Sequence, residues 1–260
     1  MSKIRFTEPN REILARRDSI INDLTRLVDP AGLITSTDEC RAYETDALTA
    51  YRKMPLAVVL PKTTEEVSAV LKYCHDTGVK VVPRGAGTSL AGGAIPSEDA
   101  VVLGLSKMNR VLAVNYDDRF IRVEAGVTNL SVTAVVAENG FFYAPDPSSQ
   151  LACTIGGNIA NNSGGAHCLK YGVTTNNLLG VRMVLIDGSI IDLGGDYLDS
   201  AGLDLLGLVV GSEGQLGIVT EATLRILKSA EGARPVLFGF PSGEGAGKAG
   251  ADVIAAGIIP

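Results

Sequence analysis

A glycine-rich stretch from Pro83 to Gly93, with the sequence PRGAGTSLAGG, carries residue types that bind phosphate groups. Its glycines permit positive φ angles and a close approach of the backbone to a ligand. Consecutive N–H groups in such a turn form a concave site for anions, while Thr88 and Ser89 add hydroxyl groups and Arg84 adds a positive charge. The stretch therefore predicts a backbone cradle for a diphosphate, with an ordinary glycine-rich surface loop as the alternative interpretation.

The start of this stretch, Gly85-Ala86-Gly87, also resembles the GxGxxG fingerprint of Rossmann dinucleotide sites. The preceding residues agree with it, because they predict a strand at Ala57–Leu60, a helix at Thr64–Thr77 and a strand at Val79–Val82. A Rossmann loop opens a helix, however, and here the following Ile95-Pro96 interrupts one. The acidic residue expected about twenty positions later is also missing. The sequence thus argues against a Rossmann site.

Two further clusters of small and polar residues follow along the chain. Residues 144–165 read APDPSSQLACTIGGNIANNSGG, where Gly156 and Gly157 predict the start of a short helix. We expect free N–H groups at that helix start to bind phosphate or a carbonyl oxygen. Residues 211–220 read GSEGQLGIVT and place three glycines before a predicted strand at Ile218–Leu227. Three such clusters predict an extended cofactor that lies against the backbone.

Together these stretches resemble the FAD-binding (PCMH-type) domain of the vanillyl-alcohol oxidase superfamily, and within it the group of the glycolate oxidase D-type flavin subunits and FAD-linked D-lactate dehydrogenases. The motifs that carry the resemblance are PRGAGTSLAGG, YAPDPSSQLACTIGGNIANNSGG, HCLKYGVTTNNLLGV and GSEGQLGIVTEATLR, in family order over roughly residues 55–230. The resemblance implies non-covalently bound FAD. It assigns cofactor contacts to Arg84, Gly85, Ala86, Gly87, Thr88, Ser89, Gly93, Pro145, Asp146, Cys153, Thr154, Gly156, Gly157, Asn158, Ala160, Ser163, Gly164, Glu213, Gly214, Gly217 and Ile218.

The predicted elements indicate an α+β fold, because a strand–helix–strand unit is followed by antiparallel hairpins. The hairpins span residues 111–125 and 181–193, the second turning at Asp187-Gly188, and a helix is predicted between them at Asn129–Glu138. The resemblance implies a two-subdomain PCMH-type FAD-binding fold: a small α/β unit plus a mainly antiparallel sheet with flanking helices. We expect an N-terminal helical segment at 1–54, the FAD-binding domain at 55–230 and the truncated start of a substrate (cap) domain at 231–260.

Both ends of the chain carry apolar patterns of their own. Residues 9–28 predict an amphipathic helix, and Thr45–Pro55 predicts a polar, irregular connection. Pro235–Phe240 predicts a strand and Gly245–Ala256 a helix, a pair that cannot bury its apolar side without a partner strand. We therefore expect that the chain is a fragment or that another polypeptide supplies the rest, and a homodimer through this end stays open.

Composition narrows the classes of protein to consider. The net charge of −6 argues against nucleic-acid binding, which depends on neutralising phosphates. The four cysteines show no CxxC spacing, and no His, Asp and Glu cluster has metal-ligand spacing, so we expect no metal site. No apolar run reaches the length of a membrane span, and MSKIRFTEPN does not resemble a signal peptide. We expect a cytoplasmic protein, held at the inner face of the cell membrane only through partner subunits.

Candidate catalytic residues are few. Oxidation of a 2-hydroxy acid needs a proton acceptor and a cation for the carboxylate, and we consider His167 and Arg52 for these roles. A loop-bracing hydrogen bond is the alternative for His167, and a solvated linker position is the alternative for Arg52. The catalytic base stays unassigned, since the resemblance implies that it lies in the cap.

The function that the resemblance implies is a flavin-dependent 2-hydroxy-acid oxidoreductase of the glycolate/D-lactate type. Electrons would pass from a small-molecule 2-hydroxy acid through FAD to a partner acceptor, such as an iron–sulfur subunit. The alternative is a flavin-binding module that is inactive alone because it lacks the substrate domain. A UDP-sugar reductase of the same superfamily fits poorly, because the PDPSS…CTIGG and HCLKYG stretches indicate the glycolate/D-lactate group.

Overall fold

The computed structural model describes residues 7–196, 202–232 and 234–259. Within these residues the helices are α1 (Arg11–Ala15), α2 (Arg17–Leu24), α3 (Thr37–Cys40), α4 (Thr64–Thr77), α5 (Asn129–Val136), α6 (Ile155–Asn161), α7 (Cys168–Tyr171), α8 (Leu205–Val209) and α9 (Gly243–Ala255). Short 3-10 helices lie at Pro30–Gly32, Arg41–Tyr43, Ala137–Asn139 and Thr174–Asn177. The strands are β1 (Leu33–Ile34), β2 (Ala57–Val59), β3 (Lys80–Arg84), β4 (Ala100–Gly104), β5 (Val111–Asn115), β6 (Phe120–Glu124), β7 (Phe141–Phe142), β8 (Leu178–Val184), β9 (Ile190–Gly194), β10 (Ile218–Arg225) and β11 (Leu227–Lys228).

The first sheet has the strand order β1-β2-β4-β3, with β2, β4 and β3 parallel and β1 antiparallel to β2. Helix α4 connects β2 to β3 and confirms the predicted helix at both ends. Thr63 Oγ1 accepts a hydrogen bond from the Glu66 N–H at 3.2 Å, and Gly78 ends the helix with a φ of 73°. Its apolar face is buried in the core beside this sheet, through Val67, Val70, Leu71 and Cys74.

The second sheet is antiparallel throughout, in the order β5-β6-β10-β8-β9. It contains both predicted hairpins, and Gly188 takes the positive φ of 87° that the turn between β8 and β9 needs. Helices α5 and α6 share a buried core with this sheet, in which Val132 and Ile159 lie with Leu224. A parallel-containing sheet beside an antiparallel one confirms the predicted α+β fold class.

The two sheets are joined through α4, β8 and β10. Thr64 Oγ1 donates a buried hydrogen bond to Thr220 Oγ1 at 3.0 Å, so the first turn of α4 is tied directly to β10. Val184 and Ile218 of the second sheet extend into the core of the first. Because the sheets share buried side chains, the loops at their junction are positioned relative to one another and line a common cleft.

The N-terminal prediction of one helix over residues 9–28 is wrong in extent. The backbone leaves helical geometry at Arg16, with φ −94° and ψ 7°, and the segment forms α1 and α2 instead. Ile13 and Ile20 nevertheless enter the same core, and α2 ends at Leu24. The apolar spacing thus identified the buried residues, while the break follows from local backbone geometry that the spacing does not encode.

The predicted strand at Pro235–Phe240 is also absent from the structure, which describes these six residues without regular secondary structure. A strand needs a neighbour to accept its ladder hydrogen bonds, and no strand among the described residues pairs with this one. Helix α9 follows as predicted, but none of its residues is buried. Within the described ranges, no helix is long and apolar enough to cross a lipid bilayer.

Candidate cofactor site

One cleft brings together most of the residues that the sequence assigns to the cofactor. It lies between the loop after β3, the start of α6 and the segment before β10, and it encloses about 1220 Å³, including solvent at its mouth. All of the assigned residues line it except Pro145, Asp146 and Gly164. Three clusters that are far apart in the sequence therefore form one site, as expected for an extended ligand.

The loop after β3 presents a run of backbone N–H groups. No acceptor in the described part of the chain takes a hydrogen bond from the amides of residues 86–89, and all four residues line the cleft. Gly87 has a φ of 72° and Gly92 a φ of 84°, values that a β-carbon disfavours. Consecutive unpaired amides in a turn of this kind suit the oxygen atoms of a phosphate.

Arg84, at the end of β3, turns its guanidinium group toward the protein as well as the cleft. Its Nη1 donates to the carbonyl oxygens of Thr45 at 2.7 Å and Ala94 at 3.4 Å. The guanidinium carbon lies 5.5 Å from the centre of the Tyr43 ring. Burial lowers the pKa of Arg84, and the nearby Tyr43 and Asp46 act in the opposite direction. Arg84 therefore braces the loop besides supplying a positive charge.

The start of α6 differs from the expectation of free N–H groups. Thr154 caps the helix and accepts the Gly157 N–H at 3.4 Å. The Ile155 N–H donates to the Val127 carbonyl at 2.9 Å and the Gly156 N–H to the Ala125 carbonyl at 2.8 Å. The chain that follows β6 thus consumes the donors that the sequence left free, and α6 offers close backbone approach instead.

Close approach is visible at the glycines of this region. A β-carbon on Gly156 would lie 2.9 Å from that of Ala125, and one on Gly85 would lie 2.5 Å from Thr154 Oγ1. Contacts below 3.0 Å are too short for a real side chain, so both positions require glycine. The backbone of the loop and that of α6 therefore form adjacent walls of the cleft.

Asn158 supplies a buried donor within the cleft. Its side chain is 2% exposed, and its Nδ2 has no hydrogen-bond partner among the described residues. A buried polar group without a partner is costly, and a ligand acceptor in the cleft would satisfy it. This orphaned donor and the four loop amides are the structural features that fit a phosphate-bearing, polar-edged cofactor such as FAD.

The third segment is tied to α6 by its backbone. The Gly211 N–H donates to Ile159 O at 2.9 Å, and the Glu213 N–H donates to Ala160 O at 2.8 Å. Glu213 itself has a φ of 54°, in the left-handed region that non-glycine residues rarely adopt. Such strain persists only where surrounding contacts impose it, and here those contacts place Glu213, Gly214 and Gly217 in the cleft wall.

Neither sequence candidate for catalysis lines the cleft. His167 Nδ1 lies 2.6 Å from Asp146 Oδ2, on an imidazole ring that is largely exposed. Arg52 Nη1 forms an ion pair with Glu44 Oε1 at 3.0 Å. Pro145 accepts a hydrogen bond from the Asn129 side chain through its carbonyl oxygen. The contacts of His167 and Arg52 match the bracing and linker roles that we kept as alternatives for them.

Several residues of the cleft wall carried no signal in the sequence. Ser149 and Ser212 lie in the small-residue clusters and could have been chosen on composition alone. Leu105 and Val209 also line the cleft, but apolar residues at strand and helix ends are typical of ordinary core. Cys153, which the sequence did assign, is 4% exposed and faces the cleft beside Thr154.

Comparison with known proteins places this geometry among flavin proteins. The FAD binding domain family matches residues 55–194. The glycolate oxidase subunit GlcD of Escherichia coli (strain K12) is 49% identical over 244 residues, covering 94% of this chain and 49% of that protein. The D-lactate dehydrogenase of Archaeoglobus fulgidus is 39% identical over 230 residues, covering 88% of this chain and 51% of that protein.

A solved structure shares the fold. Alkyldihydroxyacetonephosphate synthase superposes with a TM-score of 0.74 at 22% sequence identity, covering 88% of this chain and 43% of that one. The chain spans about half the length of the curated relatives it matches.

Proposed function

We propose, from the premise that this chain belongs to the FAD binding domain family and takes FAD as its cofactor, that it is the flavin-binding part of a 2-hydroxy-acid oxidoreductase. The observation that carries the proposal is the cleft in which four unpaired loop amides and the unpaired Asn158 donor face the same space. When bound, FAD supplies an acceptor for a hydride.

The residues of the chain divide into three tasks. The amides of residues 86–89, with the hydroxyl groups of Thr88 and Ser89, bind the diphosphate of FAD. Gly156 and Gly157 let the cofactor approach the α6 backbone, while Asn158 donates a hydrogen bond to a polar atom of the cofactor. The apolar part of the wall excludes water from the bound cofactor and is formed by Leu105, Val209 and Ile218.

The substrate class follows from the relatives, which are named for glycolate and D-lactate. Both are 2-hydroxy acids, and their oxidation removes a hydride from C2 and a proton from the hydroxyl group to leave the 2-oxo acid. We propose that the electrons then pass to an acceptor on a partner subunit. Such a subunit would also hold the chain at the inner face of the cell membrane.

A flavin-binding module that is inactive alone is the second candidate, because His167 and Arg52 both pair away from the cleft. Its support is also the length of the chain, about half that of its relatives. In this case the chain binds FAD, and turnover needs residues that the chain does not contain.

Two measurements separate these candidates. Purified protein reconstituted with FAD is first tested for a bound-flavin absorbance spectrum, and heat denaturation must release free FAD. The sample is then mixed anaerobically with glycolate or D-lactate. Bleaching of the flavin band supports the oxidoreductase, an unchanged spectrum supports the module, and failure to bind FAD would overturn both.

A further inference from the structure

The segment Tyr43–Leu48 contacts the cofactor loop although it precedes the range matched by the FAD binding domain family. Asp46 Oδ2 accepts the Gly92 N–H at 2.8 Å, and the Ala47 N–H donates to the Ser89 carbonyl at 3.2 Å. In the other direction, Arg84 Nη1 donates to the Thr45 carbonyl. An irregular connection thus bonds to the loop at its start, its middle and near its end.

Asp46 is the buried centre of these contacts. It is 3% exposed, and its second oxygen, Oδ1, accepts the Leu48 N–H at 3.0 Å. A buried carboxylate is unfavourable unless hydrogen bonds and an opposite charge compensate for it. Two backbone N–H groups supply the hydrogen bonds, and the guanidinium of Arg84 interacts electrostatically with the carboxylate. Sequence that is merely a linker does not need this arrangement.

The bond to Gly92 acts on the loop without occupying the cleft. Ala91 and Gly93 line the cleft, whereas Gly92 between them does not. Gly92 also has a φ of 84°, so its N–H direction depends on a conformation that the loop would rarely adopt by itself. Arg84 joins the two ends of the loop, because the same Nη1 contacts Ala94 O. Asp46 and Arg84 together therefore hold the loop closed.

We propose that Asp46 is a positioning residue for the diphosphate loop: its buried carboxylate, through Gly92, holds the amides of residues 86–89 in the arrangement that binds the cofactor. The inference rests on the proposed function, since it assumes that these amides bind the diphosphate. Fixing a binding loop beforehand raises affinity because less order remains to be imposed on binding. Arg84 acts in part as the counter-charge of Asp46.

The test compares Asp46→Asn with Asp117→Asn, a matched change at an exposed residue of the β5–β6 hairpin. Dissociation constants are measured for FAD and for its two halves, ADP, which carries the diphosphate, and riboflavin, which does not. We expect Asp46→Asn to weaken FAD and ADP binding by about tenfold, because a hydrogen bond to a charged group is lost. Riboflavin binding should stay within about twofold, and Asp117→Asn should change none of the three.

Other outcomes would overturn the inference. Unchanged ADP affinity in Asp46→Asn means that the carboxylate does not position the loop. An equal loss for ADP and riboflavin means a general structural role. If Asp46→Asn does not fold, Asp46→Glu, which keeps the charge but displaces it by one methylene group, must show the same selective loss. Failure of the unaltered chain to bind FAD would instead overturn the proposed function and this inference with it.

Discussion

Gly85 and Thr154 lie so close that a β-carbon on Gly85 would be 2.5 Å from the Thr154 hydroxyl oxygen. Gly85 follows β3 of the first sheet, and Thr154 caps α6, which packs on the second. The contact therefore joins the diphosphate loop of one sheet to the helix of the other. The width of the cleft at this point depends on the absence of a side chain.

Gly85→Ala should separate these two walls. The added methyl group must displace Thr154, and overpacking of this kind costs about 1–3 kcal/mol. We expect a lower free energy of unfolding and weaker FAD retention, measured by denaturant titration and by flavin release during gel filtration. Gly232→Ala is the control, because a β-carbon there meets nothing within 4 Å. Wild-type FAD retention in Gly85→Ala would contradict this account of the cleft.

Gly87→Ala and Gly140→Ala form a matched pair. Their φ angles are 72° and 73°, so the backbone strain of an alanine is the same at both, about 1–2 kcal/mol. A β-carbon on Gly87 would also collide with the Arg84 guanidinium, whereas one on Gly140 meets nothing within 4 Å. Both variants should lose similar stability from strain, but only Gly87→Ala should lose FAD affinity in fluorescence titrations. Equal FAD affinities would show that the loop tolerates displacement of Arg84.

Asn158→Leu should act in opposite directions on the free and bound protein. The unpaired Nδ2 donor destabilises the free protein by about 1–3 kcal/mol, so its removal should not lower the melting temperature without FAD. FAD should then bind about tenfold more weakly, because its partner in the cleft is lost. Melting curves with and without FAD measure both effects. A lower melting temperature of the free variant would show that Asn158 stabilises the fold by itself.

Local sequence signals were sufficient for α4 and for both hairpins. Thr63, Glu66 and Gly78 predict the ends of α4, and each is used as the pattern indicates. Asp187-Gly188 likewise turns between β8 and β9, with the Asp187 side chain accepting the Ser189 N–H. These features depend on neighbours within a few residues, so the sequence contains the whole of the relevant information.

Tertiary contacts decided what local patterns could not. The amides of Ile155 and Gly156 at the start of α6 donate to the carbonyls of Val127 and Ala125, which belong to the chain that follows β6. No pattern within α6 encodes that pairing. Asp46 lies in a stretch whose composition predicts a polar connection, yet it is buried by a bond to the distant Gly92. In both cases the site depends on a long-range partner.

Asp99 should make stability depend on acid pH. Burial of its carboxyl group opposes ionisation, but hydrogen bonds from Lys80, Ser97 and the Asn10 N–H outweigh it and lower the pKa from 3.8 to about 2. A lowered pKa in the folded state stabilises the protein above the unfolded-state pKa, and this stabilisation is lost as the pH falls from about 4 to about 2.

Asp99→Asn should therefore lower the free energy of unfolding by about 2 kcal/mol at neutral pH. The difference from the unaltered protein should narrow as the pH falls through that range, which urea titrations at several pH values measure. Asp117→Asn should leave the profile unchanged. A constant difference at every pH would mean that Asp99 acts through packing, and not through its charge.

Thiol labelling should report the cleft directly. Burial raises the pKa of Cys74 to about 12, so it holds little reactive thiolate near neutral pH. Cys168 is partly exposed and should react first with a thiol reagent, followed slowly by Cys153, which is buried but faces the cleft. Added FAD should slow labelling of Cys153 while Cys168 is unaffected, as mass spectrometry of peptides would show. Labelling of Cys153 at the same rate with saturating FAD would place the cofactor away from α6.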